Sequence, residues 1–392
     1  VMDWNWHSIH NSYETFWKGV LSHDLQPNRC YREAAVIGKE WNQIGMNHLC
    51  IRKKNKVAIL VDNQTLTGFK WFPIDRDLSY NDVVRWVYDS LYEMNIECDI
   101  VDVKAVVAAG IIGAEGGFVG KNDSAAGAKT GTSGTVTYSS ANAAYPAGDM
   151  LFSNEERDLF GQIKVVDFSS REEGFGNEKI DLNDYDLVVV PALYSASELL
   201  ISALRDFVEK GGVLFATFKS FFANEFLTVY HDMQPHGMTD VFGMTYDQFV
   251  EPGYAAVDGR PVRYFAELLR TEAAYPYRMY QHQYWGDYAA MTVNHFGKGM
   301  AYYMGCYTEK DVLKHLLKKA AKDAKVLPEA GWEWPVVLRS GVNANGNKVR
   351  YVMNYSSKPV SLSCPWSGVA DILTNKRYEP GDQIKLTDWG VA

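Results

Sequence analysis

The sequence predicts an α/β protein organised around an open, doubly wound and mostly parallel sheet. Continuous apolar runs in the chain are typical of strands that are buried on both faces. These runs alternate with amphipathic helices, and that order implies right-handed βαβ crossovers. After Trp334 the pattern changes to short strands separated by turn residues, which predicts a small antiparallel β-sandwich as the last domain.

The first elements are predicted to be a strand followed by a helix. Residues 4–9 alternate as a short strand does, and the helix is expected over residues 13–22. Asn11 or Ser12 is the predicted cap of this helix. This order places the side chains between strand and helix at the carboxyl end of the strand, which is where substrates bind in a β/α barrel.

A second amphipathic helix is predicted over residues 31–44, with Asn28 as its cap. Its apolar positions recur at helical spacing and are Ala34, Ala35, Ile37 and Trp41. The charged tract over residues 51–56 indicates a connector, so we expect a new domain to begin there.

The predicted sheet takes its strands from five separate segments. They are Lys56–Asp62, Glu97–Val103, Leu187–Pro191, Val213–Phe218 and Gly299–Gly305. The predicted helices between and after them are Asn81–Asn95, Ser195–Lys210 and about Lys310–Ala324. The strands predicted for the C-terminal sandwich are Val336–Arg339, Lys348–Tyr355, Val360–Ser363 and Asp371–Thr374.

A segment of biased composition interrupts the predicted sheet. Residues 107–148 are rich in Ala, Gly, Ser and Thr, which is poor material for a packed core. We therefore expect an insertion at the sheet edge over about residues 104–178. The segment lacks the Gly-x-x-x-x-Gly-Lys-Ser/Thr motif, so a phosphate-binding loop is not expected.

Length and composition limit the class of protein. At 392 residues the chain exceeds the usual size of one hydrophobic core, so two or three domains are expected. A net charge of −9 argues against nucleic acid as a partner, because phosphates attract basic surfaces. Five widely spaced cysteines without a Cys-x-x-Cys pair predict reduced thiols. With neither a long apolar run nor a leader pattern, we expect no membrane partner and a cytoplasmic location.

Residues 4–17 carry the strongest functional signal. Three Trp, two His, one Glu and two further aromatic residues lie in this stretch, although aromatic residues make up only 14% of the chain. Aromatic faces stack on the apolar faces of sugars while Glu, His and Asn bind hydroxyl groups, so the composition points to carbohydrate recognition. Trp6, His10 and Asn11 are candidate pocket residues. A buried aromatic cluster at a domain edge is the alternative, and composition alone does not separate the two.

The rest of the chain shows no recognisable nucleophile or metal site. The predicted strand that ends at Pro191 is followed by Ala-Leu-Tyr-Ser without a Cys, and no Gly-x-Ser-x-Gly motif occurs. We interpret Ser195 and Ser197 as helix caps. Five histidines lack a metal-ligand partner three or four positions away: His231, His236, His282, His295 and His315. We therefore expect no metal and no cofactor.

Several long motifs resemble the glycoside hydrolase family 42 β-galactosidases. The matching segments are residues 6–24, 71–73, 79–89, 190–195, 216–220 and 351–355. The resemblance implies a chain with three parts. Residues 1–50 would be the C-terminal βα segment of a (β/α)8 barrel, residues 51–328 an amidotransferase-like α/β trimerisation domain with the insertion, and residues 329–392 a small β-sandwich.

The resemblance also implies an activity and its site residues. Family members hydrolyse terminal β-D-galactosides with retention of configuration, which requires two carboxylates about 5 Å apart. Both catalytic glutamates are expected upstream of Trp6, so the chain would hold no catalytic residue and be inactive alone. Glu14 matches a family residue that binds galactose hydroxyls, and Trp17 falls where some members have a sugar-binding His. The implied partners are a galactoside and two further copies in a homotrimer.

Two alternatives to this reading stay open. The chain can instead be a non-catalytic module that binds sugar or drives oligomerisation. In the second alternative, another chain supplies the missing barrel and the two parts complement each other.

Overall fold

The computed structural model describes residues 5–11, 13, 15, 19–48, 50–107 and 180–392 of the chain. The predicted insertion at 104–178 lies outside the described residues from position 108 onward. Among the described residues, no helix combines the length and the apolar character that crossing a membrane requires.

A mixed sheet of ten strands forms the centre of the fold. The strands up to residue 307 are β1 (Val57–Val61), β2 (Asp99–Asp102), β3 (Leu187–Val190), β4 (Val213–Thr217), β5 (Met244–Val250), β6 (Ala256–Val257), β7 (Arg260–Pro261), β8 (Arg263–Thr271), β9 (Tyr275–Met279), β10 (Ala289–Phe296), β11 (Gly299–Met304) and β12 (Cys306–Tyr307). Their order in the sheet is β12-β8-β10-β11-β4-β3-β1-β2, while β5 pairs with β8 and β9 pairs with β10. Strands β6 and β7 pair with each other, and Ala256 of β6 also forms an isolated bridge to Gln281.

The five strands that the sequence predicted lie side by side and run parallel. They pair in the order β2-β1-β3-β4-β11, with Ile59 opposite both Ile100 and Val189. The other strands of the sheet pair antiparallel, so the prediction of a mostly parallel sheet is correct for only half of it. Antiparallel neighbours need only tight turns, and the β10–β11 hairpin turns at Gly297 and Lys298.

Helices cover both faces of the sheet. The helices are α1 (Arg29–Ile44), α2 (Asn63–Trp71), α3 (Tyr80–Glu93), α4 (Glu198–Glu209), α5 (Thr239–Phe242) and α6 (Lys310–Asp323). One apolar cluster joins α3 and α6 to one sheet face, and a second joins α4 and α5 to the other face. Alternate residues of β1 point into the two clusters, Val57 and Ile59 into the first and Ala58 and Leu60 into the second.

Helix caps follow the strand ends closely. Ser197 caps α4 as expected, but Ser195 does not cap a helix, because its hydroxyl is used to donate to the Asn224 carbonyl 3.1 Å away. The unpredicted helix α2 begins directly after β1, where the Asp62 side chain accepts from the N–H groups of Gln64 and Thr65. A carboxylate at this position satisfies donors of the first turn that have no partner inside the helix.

The C-terminal part consists of short antiparallel pairs. The strands are β13 (Val336–Val342), β14 (Lys348–Asn354), β15 (Val360–Ser363), β16 (Val369–Ala370), β17 (Arg377–Tyr378) and β18 (Gln383–Leu386), paired β13–β14, β15–β18 and β16–β17. The strand predicted at Asp371–Thr374 is wrong. Asp371 accepts from the Leu373 N–H and the Thr374 hydroxyl, and this local bonding favours a turn over a strand.

The N-terminal prediction is also wrong in part. Residues 5–9 form no strand, although His7 makes an isolated bridge to Leu21, and residues 13, 15 and 19–22 are not helical. The reason is that Val20 and Leu21 donate to the carbonyls of Asn5 and Trp6, so their N–H groups are not available to a helix. Helix α1 is present, and Asn28 caps it by accepting from the Tyr31 N–H.

Candidate functional site

The N-terminal segment is held together by backbone pairing around Ser8. Ser8 is buried; its N–H donates to the Leu21 carbonyl at 3.2 Å and its hydroxyl to the same oxygen at 3.3 Å. The N–H of Gly19 donates to the Ser8 hydroxyl oxygen at 3.3 Å. A Cβ atom on Gly19 would collide with the backbone of His7, so only glycine permits this approach. These contacts fix residues 5–8 against residues 19–21.

Three histidines form a row on this segment. The ring centroids of His7 and His10 lie 5.5 Å apart, and those of His10 and His23 lie 5.7 Å apart. Because a carbonyl oxygen can only accept, His10 donates from Nε2 to the His23 carbonyl at 2.6 Å. His23 likewise donates from Nε2 to the Thr15 carbonyl at 2.9 Å. The rings are therefore oriented by backbone oxygens.

The structure places three of the five predicted sugar-binding residues. Trp6 is 61% exposed, and its ring meets the edge of Tyr31 at a centroid distance of 6.4 Å. His10 and Asn11 are also exposed. Glu14 and Trp17 lie outside the described residues. An exposed indole and oriented imidazoles on one short segment offer a flat apolar face and polar edges, which is the chemistry of a sugar-binding wall.

The turn after β3 has the backbone shape that many α/β enzymes use to present a nucleophile. Ala192 there has a φ of 42°, and its N–H donates to the Thr217 hydroxyl at 2.8 Å. The next N–H, of Leu193, donates to the Ser220 hydroxyl at 3.0 Å. A methyl group cannot attack a substrate, so this turn supplies no nucleophile.

A buried carboxylate that the sequence did not reveal lies near this turn. Glu267 on β8 has no solvent exposure; its carboxylate accepts from the Lys219 N–H and from the Tyr303 hydroxyl, each at 2.8 Å. Burial raises the pKa of Glu267 to about 7, although both hydrogen bonds and the Lys219 charge lower it. Because it cannot reach a ligand, Glu267 ties the turn after β4 to the antiparallel half of the sheet.

The side chain of Lys219 lies among aromatic rings. Its Nζ atom is 3.7 Å from the ring centroid of Phe249, 4.3 Å from that of Phe222 and 5.1 Å from that of Phe265. Burial lowers the pKa of Lys219, while the Glu267 charge opposes this shift. Ring faces attract a cation, so they stabilise the ammonium group that burial disfavours.

The described residues hold no group of three or more His, Cys, Asp and Glu side chains arranged to bind a metal ion. Asn224 and Glu225 lie in a loop. The Asn224 side chain there accepts from the N–H groups of Phe226 and Thr228, each at 3.0 Å. This Asn therefore stabilises a turn.

Comparison with known sequences gives a consistent result. Residues 173–327 match the family model of the β-galactosidase trimerisation domain. The chain is 23% identical over 377 residues to β-galactosidase LacZ of Lactobacillus acidophilus, which covers 93% of this chain and 45% of that protein. It is 23% identical over 380 residues to β-galactosidase BgaP of Planococcus sp. (strain L4), with the same two coverages. The chain thus spans about half the length of the curated relatives it matches.

Solved structures share the fold. The β-galactosidase from Bacillus circulans sp. alkalophilus superposes with a TM-score of 0.72 and 20% identity, over 98% of this chain and 48% of that one. The β-galactosidase from Rahnella sp. R3 gives a TM-score of 0.70 and 18% identity, over 99% of this chain and 47% of that one. The chain is therefore similar to β-galactosidases over nearly its whole length, and its residues 173–327 match the model of their trimerisation domain.

Proposed function

We propose that this chain is the C-terminal portion of a family 42 β-galactosidase whose parent protein hydrolyses terminal β-D-galactosides with retention of configuration. The observation that carries this proposal is the match over 93% of the chain to proteins named β-galactosidase. The trimerisation-domain match supports the same assignment and a homotrimer built through the α/β domain. A cytoplasmic location and a role in carbohydrate metabolism complete the proposal.

The proposed division into domains follows the predicted boundaries. Residues 1–50 are the C-terminal βα segment of a (β/α)8 barrel, residues 51–328 the trimerisation domain and residues 329–392 the β-sandwich. Helix α1 supports the first of these. None of its residues is buried, and the apolar side chains of Val36 and Ile37 are about half exposed. An apolar helix face normally packs against another element, and the barrel of the parent protein is the partner that we infer.

The proposed role of the N-terminal segment is to form one wall of the galactoside site. Trp6 offers its ring face, and Glu14, Trp17, His10 and Asn11 are the proposed contacts to hydroxyl groups and ring carbons. The two catalytic carboxylates belong to parts of the parent protein outside this chain. This assignment leaves binding, and not bond cleavage, to the residues of this chain.

The test compares this chain with its parent protein on o-nitrophenyl β-D-galactoside. We expect turnover by the parent, with the β-anomer of galactose as the first product in proton NMR, and no turnover by the chain alone. Light scattering should give three times the mass of one chain. Turnover by the chain alone that persists through repurification, or an inactive parent, would contradict the proposal.

One observation favours a purely assembling role for the α/β domain itself. The turn at Ala192 keeps the backbone shape of a nucleophile-bearing turn but carries a methyl group. A parent protein that binds galactose in calorimetry without hydrolysing any galactoside would favour a non-catalytic module over the enzyme.

A further inference from the structure

A cleft of about 360 Å³ lies between the first turns of α3, the start of β8 and the segment that joins β12 to α6. Its apolar part is aromatic. The Trp86 and Tyr307 ring centroids lie 4.6 Å apart, and the Tyr264 ring meets that of Tyr307 edge-on at 5.4 Å. We refer to these three residues and the charged side chains around them as the α3 cleft.

The backbone at the α3 cleft is irregular in a way that places Tyr264. Pairing between β12 and β8 joins Cys306 to Ala266 but Tyr307 to Arg263, so two residues of β8 have no counterpart. One of them, Tyr264, has a φ of 64°, which bulky residues rarely adopt. Bulges and backbone strain of this kind often aim a side chain into a functional site.

Several polar groups of the α3 cleft have no partner within the described part of the chain. The hydroxyls of Tyr264 and Tyr307 and the guanidinium of Arg85 make no hydrogen bond or salt bridge there. The indole N–H of Trp86 is buried and also lacks an acceptor among the described residues. A buried donor without an acceptor is costly, so the Trp86 indole N–H calls for an acceptor from outside the described chain. The half-buried hydroxyls of Tyr264 and Tyr307 and the exposed Arg85 are available to a ligand.

The charge of the α3 cleft limits what it can bind. Four carboxylates and three cations line it: Asp77, Asp82, Asp89, Glu309, Arg85, Arg263 and Lys310. Part of this charge is already paired, as Arg263 donates to Glu309 at 2.7 Å. Because opposite charges nearly balance, neither a phosphate ester nor a polycation gains much there. A neutral ligand rich in hydroxyl groups can use the carboxylates, the guanidinium and the aromatic faces together.

We propose that the α3 cleft binds a neutral saccharide. The rings of Tyr264 and Tyr307 stack on sugar carbons. Arg85 and Oδ1 of Asp82 bind hydroxyl groups, since Oδ2 of Asp82 already accepts from the N–H and the hydroxyl of Ser79. This inference goes beyond the proposed function, because it concerns binding by residues 77–89, 263–264 and 307–310 and needs no hydrolysis.

The test titrates lactose into the 392-residue chain and follows saturation-transfer NMR signals of the sugar. We expect weak binding, with a dissociation constant of about 1 mM. The variant Tyr264→Gly should weaken binding about tenfold or more, which corresponds to about 1.4 kcal/mol. Glycine tolerates the positive φ at this position, so the variant loses the ring while the backbone strain is relieved. Arg85 is exposed, and Arg85→Ala should weaken lactose binding as well.

The matched control is Trp389→Gly, which removes an aromatic ring that is 68% exposed at another position with a positive φ of 53°. Its lactose affinity should equal that of the unchanged chain. Trp6→Ala removes the exposed ring of the N-terminal segment. It should leave the part of the lactose signal that Tyr264→Gly abolishes. Absence of lactose binding, equal binding by Tyr264→Gly, or stronger binding of galacturonate or galactosamine than of galactose would overturn the proposal. A parent protein that hydrolyses galactosides while Tyr264→Gly binds lactose normally would overturn this inference alone.

Discussion

The backbone N–H of Lys219 donates a 2.8 Å hydrogen bond to Oε1 of Glu267, a carboxylate with no solvent exposure. Lys219 itself has a positive φ of 60° at the turn after β4. The bond joins two segments that lie 48 residues apart in the chain. The protonation state of one buried side chain therefore bears on how firmly the two halves of the sheet are held together.

The variant Glu267→Gln should change how stability depends on pH. Burial raises the pKa of Glu267 to about 7, so the folded protein keeps a proton that the unfolded chain releases near its ordinary value of 4.5. Stability from this group is complete below pH 4.5 and is lost as pH rises to about 7. Glutamine stays neutral, so between pH 5 and 8 the variant should gain about 3 kcal/mol relative to the original protein.

Urea denaturation at several pH values measures this difference. The amide oxygen can keep one of the two hydrogen bonds, so near pH 5 the two proteins should differ by only about 1 kcal/mol. A difference in unfolding free energy that is constant from pH 5 to 8 would show that Glu267 is ionised throughout this range.

Local sequence predicted the parallel half of the sheet well. The Leu187–Val190 run is apolar at every position and is buried at every position, and Gly211 follows the helix that precedes β4. These signals depend only on neighbouring residues, which is why they could be recognised without a structure. Among the antiparallel strands that were missed, β5 has two buried positions followed by exposed and half-buried ones, so it lacks the regular alternation that marks a strand in the sequence.

The candidate site was predictable in composition but not in conformation. The aromatic and histidine content of residues 4–17 is visible in the sequence, whereas the bonds that bend the segment depend on distant partners. Ser8 pairs with Leu21, and His10 with the His23 carbonyl. The Tyr303 hydroxyl that donates to buried Glu267 is 36 positions away in the chain, so this contact leaves no local signal. Long-range pairing of this kind is set by tertiary packing rather than by propensity.

His236 should contribute stability that disappears as the pH rises. Its Nδ1 lies 2.7 Å from Asp232, its Nε2 lies 2.8 Å from Glu198, and its ring stacks on Tyr230 at 3.5 Å. Burial lowers the pKa of His236, but the bonds and charges of the two carboxylates outweigh it, so the pKa is raised overall. The contribution is complete below the ordinary value of 6.5 and is lost as pH passes the raised value.

The variant His236→Asn tests this contribution. Since both carboxylates are more than half exposed, solvent screens the pairs, and the loss at pH 6 should stay below about 1 kcal/mol and shrink in high salt. His295→Asn, at an exposed position on β10, is the control and should leave the unfolding free energy nearly unchanged. An NMR titration in which His236 gains its proton only below pH 6.5 would contradict the assignment.

Gly299 should tolerate no side chain. It begins β11 where the strand meets the end of α4, and a Cβ atom there would collide with the carbonyl oxygens of Gly212 and Val208. The collision can be relieved only if the backbone moves. Gly299→Ala should therefore lower the free energy of unfolding by about 3 kcal/mol, as thermal or urea unfolding would measure. Gly38→Ala in α1 is the matched control, because an added Cβ meets nothing within 4 Å there. Its unfolding free energy should rise by about 1 kcal/mol, since Ala favours a helix more than Gly does. Equal stability of the two variants would argue against the close approach of β11 and α4.

Trp6→Ala tests the proposed sugar-binding wall in the parent enzyme. Because the Trp6 ring is 61% exposed, its removal should leave the melting temperature nearly unchanged. If the ring stacks on galactose in the transition state, kcat/KM for o-nitrophenyl β-D-galactoside should fall about tenfold, which corresponds to about 1.4 kcal/mol. Trp389→Ala removes a comparably exposed indole from the C-terminal part and should leave kcat/KM unchanged. An equal loss in both variants, or none in Trp6→Ala, would remove Trp6 from the site and leave its exposed ring as a packing surface for the rest of the parent protein.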